Sequence, residues 1–164
     1  MITIRPIRAG EEEAVKRIIL RVAYKIFGFD GTLEDSRRHF TDSGAFRDMD
    51  DVKAHYEDAG GMFFVVHDGQ RLVGSGAMRG LDAETGELKR MWLLEPCQGQ
   101  GIGYRLIQKL FEFARAQGYQ RVRLQTSPEQ TRALEFYRQV GFYEIPCYNH
   151  DLDEISMEID LSSD

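Results

Sequence analysis

Long apolar runs are missing from this 164-residue chain. No stretch approaches the roughly 18 apolar residues that a membrane-spanning helix needs, and the first residues lack the apolar core of a secretory signal peptide. Basic residues are also few, 21 against 27 acidic ones, which gives a net charge of −6. Because these basic residues are scattered, we expect neither a nucleic-acid partner nor a membrane partner.

Cysteine is scarce as well. The two cysteines, Cys97 and Cys147, form neither a C-x-x-C motif nor a metal-binding spacing, and the four histidines are far apart in sequence. We therefore expect free thiols in a reducing cytoplasm and no metal site. The apolar fraction of 42% is sufficient for a hydrophobic core, and the length fits one domain over residues 1–164.

Hydrophobic periodicity predicts a mixed sheet with helices on its faces, in the order β-α-(α)-β-β-β-α-β-α-β-β. The predicted strands are the opening segment to Ile7, Met62–His67, Leu72–Arg79, Gly86–Leu94, Arg121–Thr126, Phe142–Tyr148 and Glu154–Leu161. The predicted helices are one from about Glu11 to Gly28, a short one capped by Thr32-x-x-Asp35, one over Gly101–Gln117 and one ending at Gly141. The last should begin with Ser127 as N-cap, Pro128 at the first helical position and Gln130 closing a capping box.

The segment Gly86–Gly103, GELKRMWLLEPCQGQGIG, joins a strand to a helix through a glycine-rich turn. Such a turn presents backbone N–H groups at a positive helix end, which suits a phosphate. Two nucleotide-binding motifs fit poorly, since Tyr104 replaces the third glycine of the dinucleotide fingerprint and no Gly-Lys-Ser/Thr follows. A plain tight turn with a glycine N-cap remains an alternative.

Three motifs in register resemble one superfamily. Gln98-x-x-Gly101-x-Gly103 resembles the Q/R-x-x-G-x-G/A signature of the GNAT superfamily of acyl-CoA-dependent N-acetyltransferases. The strand Glu87–Leu93 resembles its fourth strand, and Ala133–Phe142 resembles its A-x-x-x-Y-x-x-x-G-F segment. The resemblance implies a single GNAT-like α/β (α+β) domain with a mixed, mostly antiparallel sheet of about six or seven strands flanked by about four helices.

The resemblance also implies which residues bind acetyl-CoA. In this family the glycine turn surrounds the pyrophosphate of coenzyme A, and the matching residues are Gln98, Gly99, Gln100, Gly101, Ile102 and Gly103. The pantetheine arm pairs with a bulged fourth strand, here at Trp92, Leu93 and Leu94. Gln130 stands where relatives often have an asparagine that contacts the coenzyme, although it could only close the capping box.

Three residues match catalytic positions of the family. The backbone N–H of Leu93 is expected to stabilise the oxyanion that develops at the thioester. Tyr137 matches the general acid that protonates the departing sulfur, and Glu87 matches a general base that acts through water in some relatives. The alternatives are a core aromatic beside Phe136 for Tyr137 and a solvated strand-end charge for Glu87.

The sequence defines the acceptor site less well than the coenzyme-binding and catalytic positions. By resemblance it should involve the first helix, the following loop and the closing strands, roughly Tyr24–Phe46 and Tyr143–Asp151. We expect an N-acetyltransferase acting on a primary amine of a small molecule or peptide by direct attack. Alternatives are a non-catalytic acyl-CoA sensor, a longer acyl donor and a nucleotide-binding protein. A homodimer is compatible with the resemblance, although no interface is identified.

Overall fold

The computed structural model describes residues 1–162, which form seven strands and six α-helices. The strands are β1 (Ile2–Pro6), β2 (Met62–Asp68), β3 (Arg71–Gly80), β4 (Thr85–Leu93), β5 (Arg121–Thr126), β6 (Tyr143–Ile145) and β7 (Ile155–Asp160). The helices are α1 (Glu12–Phe27), α2 (Leu33–Asp42), α3 (Arg47–Asp50), α4 (Val52–His55), α5 (Ile102–Ala116) and α6 (Thr131–Val140). Short 3-10 turns cover Glu57–Ala59 and Glu95–Cys97. None of the helices in this part of the chain is long and apolar enough to cross a membrane.

All strands belong to one sheet with the order β1-β2-β3-β4-β5-β7-β6. Neighbouring strands are antiparallel except β4 and β5, which are parallel. A parallel pair needs a crossover connection, and α5 supplies it. The sheet is therefore mixed and mostly antiparallel, as predicted.

The core consists of two clusters on opposite faces of this sheet. Alternate residues of β2 join different clusters, Phe64 and Val66 one of them and Phe63 and Val65 the other, because successive strand side chains point to opposite faces. The first cluster includes residues of α5 and α6, and the second includes residues of α1, α3 and α4. Helices therefore cover both faces of β2, β3 and β4.

The crossover helix α5 lies close to the sheet at Gly76 of β3. A Cβ atom at Gly76 would come within 3.0 Å of Leu110 and 3.1 Å of Leu106, which is tighter than ordinary contact. Gly76 therefore permits α5 to approach β3, and this approach positions the turn that begins α5 beside the end of β4.

The predicted order of elements is confirmed, with three differences in detail. Two additional short helices, α3 and α4, lie in the weakly periodic segment before β2. The last helix begins at Thr131 rather than Pro128, because Ser127 and Gln130 close a separate turn through a 3.0 Å backbone hydrogen bond. The sixth strand ends at Ile145 because Pro146, which has no N–H, follows it.

Candidate active site

The strands β4 and β5 are paired over only part of their length. Thr85–Glu87 pair with Arg121–Arg123. Beyond Glu87, β4 pairs with β3 alone, and beyond Arg123, β5 pairs with β7 alone. The two strands therefore part, and a cleft opens in the middle of the sheet between their carboxyl-terminal halves.

A β-bulge in β4 accompanies this separation. The register with β3 shifts between the pairs Ala77–Lys89 and Ser75–Trp92, so that Arg90 and Met91 together face one residue of β3. An extra residue in one strand bends it and increases its twist. This is the bulge that the resemblance predicts for the fourth strand.

The backbone of Leu93 faces the cleft. The N–H of Leu94 donates to the Val73 carbonyl of β3 at 2.9 Å, and the direction of the backbone groups alternates along an antiparallel strand. Leu93, opposite Gly74, therefore directs its N–H and carbonyl away from β3. Its carbonyl accepts a hydrogen bond from Gln98 Nε2 at 2.8 Å. Of the three predicted positions, Leu93 turns its backbone groups to the cleft, whereas those of Trp92 face β3. Leu94, which follows β4, donates its N–H to β3, and its carbonyl accepts from the Cys97 N–H at 2.9 Å.

The glycine turn joins the end of β4 to α5. Gly99 and Gly101 adopt left-handed φ angles of 77° and 80°, which glycine adopts without penalty. The Gln100 side chain folds back onto the Pro96 carbonyl at 2.8 Å. No side chain caps the amino end of α5, so the N–H groups of its first turn are available to an anion.

Tyr137 is buried on α6. Its ring centroid lies 5.6 Å from those of both Phe136 and Phe142, and the residue is 6% exposed. Burial raises the pKa of its hydroxyl, so Tyr137 remains protonated at neutral pH, as a proton donor must. It is therefore a core aromatic, and that position does not conflict with an acid role.

Glu87 lies where β4 and β5 separate. The residue is 5% exposed, and its carboxylate accepts hydrogen bonds from Arg79 Nε at 2.8 Å and from the Tyr148 hydroxyl at 2.6 Å. The guanidinium of Arg123 lies over the Tyr148 ring, 5.4 Å from its centroid. Glu87 is therefore a buried, partnered carboxylate at the closed end of the cleft rather than a solvated strand-end charge.

The connection from β6 to β7 brings Tyr148 onto this carboxylate. Asn149 and Gln125 exchange two amide hydrogen bonds of 2.8 and 2.6 Å, which hold the connection against β5. Burial and the bond to Glu87 raise the pKa of Tyr148, so its hydroxyl is protonated at neutral pH. Tyr148 lies within the region predicted to contact the acceptor.

The side chain of Gln130 is directed back toward the end of β5. Its amide oxygen accepts hydrogen bonds from Thr126 Oγ1 at 2.8 Å and from the Ser127 N–H at 3.2 Å. Gln130 thus makes one of the two hydrogen bonds of the predicted capping box, but its own N–H donates to the Ser127 carbonyl rather than to the hydroxyl. The prediction of Ser127 as N-cap is wrong, since the N-cap of α6 is Gln130. A contact with the coenzyme would use its amide nitrogen.

A cavity of about 430 Å³ lies between α1, α2 and the start of β3. The charged residues that line it are Arg17, Arg21, Arg37, Arg71 and Glu34. Its apolar residues are Ala14, Ile18, Leu20, Leu33, Leu72 and Leu94. Arg37 is paired with Glu13 at 2.9 Å, which leaves Arg17, Arg21 and Arg71 against Glu34, so the cavity has an excess of positive charge that suits an anionic group.

Sequence reasoning missed the partners of Glu87. Arg79 and Glu87 are directly opposite in the β3–β4 pairing, and opposite charges at such positions attract, so counting residues across this hairpin could have found Arg79. Tyr148 had no comparable local signal. Within residues 1–162, no group of three or more His, Cys, Asp or Glu side chains is placed to hold a metal ion.

Three known proteins show what this chain is similar to. It is 35% identical over 107 residues to the probable N-acetyltransferase family 8 member 5 of Mus musculus, covering 62% of this chain and 47% of that protein. An acetyltransferase of the GNAT family from Staphylococcus aureus Mu50 superposes with a TM-score of 0.81 at 22% identity, over 98% of this chain and 99% of the other. The PaiA N-acetyltransferase of Thermoplasma acidophilum, solved in complex with coenzyme A, superposes with a TM-score of 0.79 at 16% identity, over 98% of this chain and 99% of the other.

The curated relatives, the solved structures and the family profile establish different properties of this chain. The chain spans about half the length of the first curated relatives that it matches, and the two solved structures establish the fold. The profile of the acetyltransferase (GNAT) family matches residues 28–142, a span that includes β4, the glycine turn and α6. The chain therefore belongs to the acetyltransferase (GNAT) family.

Proposed function

We propose that this protein transfers an acetyl group from acetyl-CoA to a primary amine of a small molecule or peptide by direct attack. The observation that carries the proposal is the open half of β4. There the Leu93 N–H faces the cleft, and the glycine turn connects this end of β4 to the uncapped amino end of α5. An extended arm with a phosphate at one end and a carbonyl at the other fits such a site.

The coenzyme would be held by two parts of this site. The N–H groups of Gly99–Gly103 would bind the pyrophosphate, since the amino end of a helix carries a partial positive charge, whereas the N–H of the predicted Gln98 donates to the Glu95 carbonyl at 3.1 Å. Of Trp92–Leu94, Leu93 has backbone groups that face the cleft, and these would pair with the pantetheine arm in the manner of an added strand. The structure of the PaiA N-acetyltransferase of Thermoplasma acidophilum in complex with coenzyme A supports this choice of co-substrate.

The chemistry assigns one role to each of three residues. The Leu93 N–H would donate to the thioester oxygen as it becomes an oxyanion. The acceptor amine, with an ordinary pKa of about 10, must lose a proton, and Glu87 would receive it through water. Tyr137 would protonate the coenzyme A thiolate as the carbon–sulfur bond breaks.

Because both carboxylate oxygens of Glu87 have partners, a water molecule must share or displace one of them. The Tyr148 hydroxyl comes from a loop connection, whereas Arg79 is held within the sheet. We therefore assign Tyr148 as the residue that gives up its hydrogen bond to Glu87 when the acceptor binds.

The arginine-lined cavity favours an acceptor that carries a carboxylate or phosphate in addition to its amine. Its lining residues on α1 and α2 fall partly within the region where the family places the acceptor. A guanidinium binds such groups in a planar, two-pronged geometry. Its apolar residues would contact the hydrocarbon part of the same molecule.

The test has two stages. Thermal unfolding is measured with acetyl-CoA, coenzyme A, ATP and NAD added separately, because a ligand that binds the native state raises Tm. At about 100 times Kd the expected gain is about 2.7 kcal/mol, or roughly 5–10 °C for a chain of this size. Acetyl-CoA and coenzyme A should produce it, and ATP and NAD should not.

Turnover is then followed by free-thiol release with amines supplied in pairs that differ only in an acidic group. We expect faster turnover of the amine that carries the acidic group, and we expect an Arg21→Gln variant to lose this preference. Binding without turnover of any amine would favour a sensor, faster turnover with a longer acyl-CoA would change the donor, and stabilisation by ATP or NAD alone would overturn the proposal.

A further inference from the structure

The backbone at Arg90 has a conformation that its side chain does not favour. Its φ is 55°, and it is the one non-glycine residue with a positive φ in the described part of the chain. A non-glycine residue keeps such a conformation where surrounding contacts impose it. Because Arg90 lies in the bulge, three residues before Leu93, those contacts also orient the open half of β4.

The guanidinium of Arg90 is bound on several sides. Its Nε and Nη2 donate to the two carboxylate oxygens of Asp48 at 3.0 and 2.6 Å. Nη2 also donates to the Ala45 carbonyl, and the Phe46 ring lies 5.6 Å away under the guanidinium. Such a two-pronged pair fixes direction as well as distance.

Both partners of this pair are held in turn by buried groups. Asp48 accepts a further hydrogen bond from the Tyr56 hydroxyl. The Arg90 carbonyl accepts one from Ser75 Oγ at 2.7 Å, and Ser75 and Tyr56 are almost completely buried. Burial acts to raise the pKa of Asp48, but the bonds to Arg90 outweigh it and hold the pKa below its ordinary value. The pair is therefore charged at neutral pH.

We propose that the Arg90–Asp48 pair is a positioning device for acetyl transfer. It holds the β4 bulge in the conformation that directs the Leu93 N–H toward the thioester carbonyl. Neither side chain touches the reacting atoms in this proposal, so both act through the backbone of β4. The inference rests on the proposed function, because it requires that a thioester bind beside Leu93.

A positioning role differs from a stabilising role in what it changes. Loss of a stabilising ion pair lowers Tm and leaves the bound thioester unaltered. Loss of a positioning pair also weakens the hydrogen bond to the thioester oxygen, which can be measured without an acceptor. The infrared carbonyl band of acetyl-CoA labelled with ¹³C at the carbonyl reports that hydrogen bond directly.

The experiment compares three variants with the unsubstituted protein. Asp48→Asn breaks the charged pair, and Arg90→Gly removes the guanidinium while allowing a φ of 55° without strain. The control is Glu11→Gln, because the pair of Glu11 with Arg5 is also two-pronged, with bonds of 2.9 and 2.8 Å. The two pairs have similar exposure, 21% and 19% for the control and 17% for each partner of the tested pair.

The unsubstituted protein should shift the carbonyl band to lower frequency, and Glu11→Gln should keep that shift. Asp48→Asn and Arg90→Gly should lose most of it while binding coenzyme A within about threefold, and kcat should fall about tenfold or more. Arg90→Gly keeps the test valid if Asp48→Asn does not fold. An unchanged band and kcat in both variants would overturn the proposal while leaving the proposed function intact. A bound acetyl-CoA with no shift in the unsubstituted protein would remove the Leu93 role and this inference together.

Discussion

Gly103 offers a test in which protein stability and coenzyme binding should change in opposite directions. It lies in the first turn of α5, where a Cβ atom would be 3.5 Å from Phe136 Cζ, an ordinary van der Waals distance. Unlike Gly101, which has a φ of 80°, Gly103 has no left-handed backbone. The fold therefore accepts a Cβ atom at position 103, and thermal unfolding of a larger variant tests whether the γ-methyl groups are accepted as well.

The magnitudes follow from this geometry. Alanine stabilises a helix relative to glycine by about 0.5–1 kcal/mol, so the Gly103→Ala variant should gain roughly 1–4 °C in Tm. Valine gains less but still avoids the entropic penalty of glycine. If the backbone of Gln98–Gly103 approaches the pyrophosphate, the two γ-methyl groups of Gly103→Val should weaken coenzyme A binding at least tenfold, about 1.4 kcal/mol.

Calorimetric titration with coenzyme A measures the affinity, and thermal unfolding without ligand measures the stability. Gly103→Ala is the matched control, since the family signature allows alanine at this position and coenzyme A binding should stay close to its original value. A Gly103→Val variant that is folded and binds coenzyme A with unchanged affinity would refute the assignment of this turn to the pyrophosphate.

Three further outcomes are expected. Tyr137→Phe should lower kcat by about 10²-fold or more with coenzyme A affinity unchanged, because it removes the proton donor; single-turnover kinetics would show the loss in the chemical step, and an unchanged rate there would exclude the role. Glu87→Gln should lower kcat at neutral pH, whereas Tyr148→Phe should mainly alter the KM of the acceptor; steady-state kinetics with one amine separates them, and equal effects on kcat would contradict the assignment. The hydrogen bond from Arg5 lowers the pKa of Glu11 to about 2, so this carboxylate stabilises the fold above its unfolded pKa of about 4.5 and loses that effect as pH falls toward 2. Urea unfolding between pH 6 and 3 should show a decline of about 2 kcal/mol that is absent in Glu11→Gln.

The elements that sequence patterns predicted well are those with strong local signals. The hairpin of β2 and β3 has Asp68-Gly69 between two apolar runs, and the left-handed φ of 63° at Gly69 fits that turn. The capping box of Thr32 and Asp35 is present, with both reciprocal hydrogen bonds formed. In each case the residues that determine the structure are neighbours in sequence.

The start of α6 shows where a local signal was insufficient. Ser127, Pro128 and Gln130 have the composition of a helix start, and Gln130 does bond back to the Ser127 N–H. Thr126 Oγ1 uses the same amide oxygen, so the segment is held against the end of β5 and the helix begins at Thr131. A contact with the preceding strand thus changed the boundary, and a capping pattern does not include that strand.

The site itself depends on contacts between distant residues. Helix α3 has four residues, too few to be stable alone, and the segment around it has little periodicity, so no pattern indicated a half-buried, paired carboxylate at Asp48. Arg90 in turn keeps its unfavourable backbone where contacts such as the one with Asp48 impose it. The two are 42 residues apart, and each supports the other. The family motifs therefore predicted where β4 and the glycine turn lie, whereas the contacts that hold the bulge of β4 come from the segment that the motifs describe least.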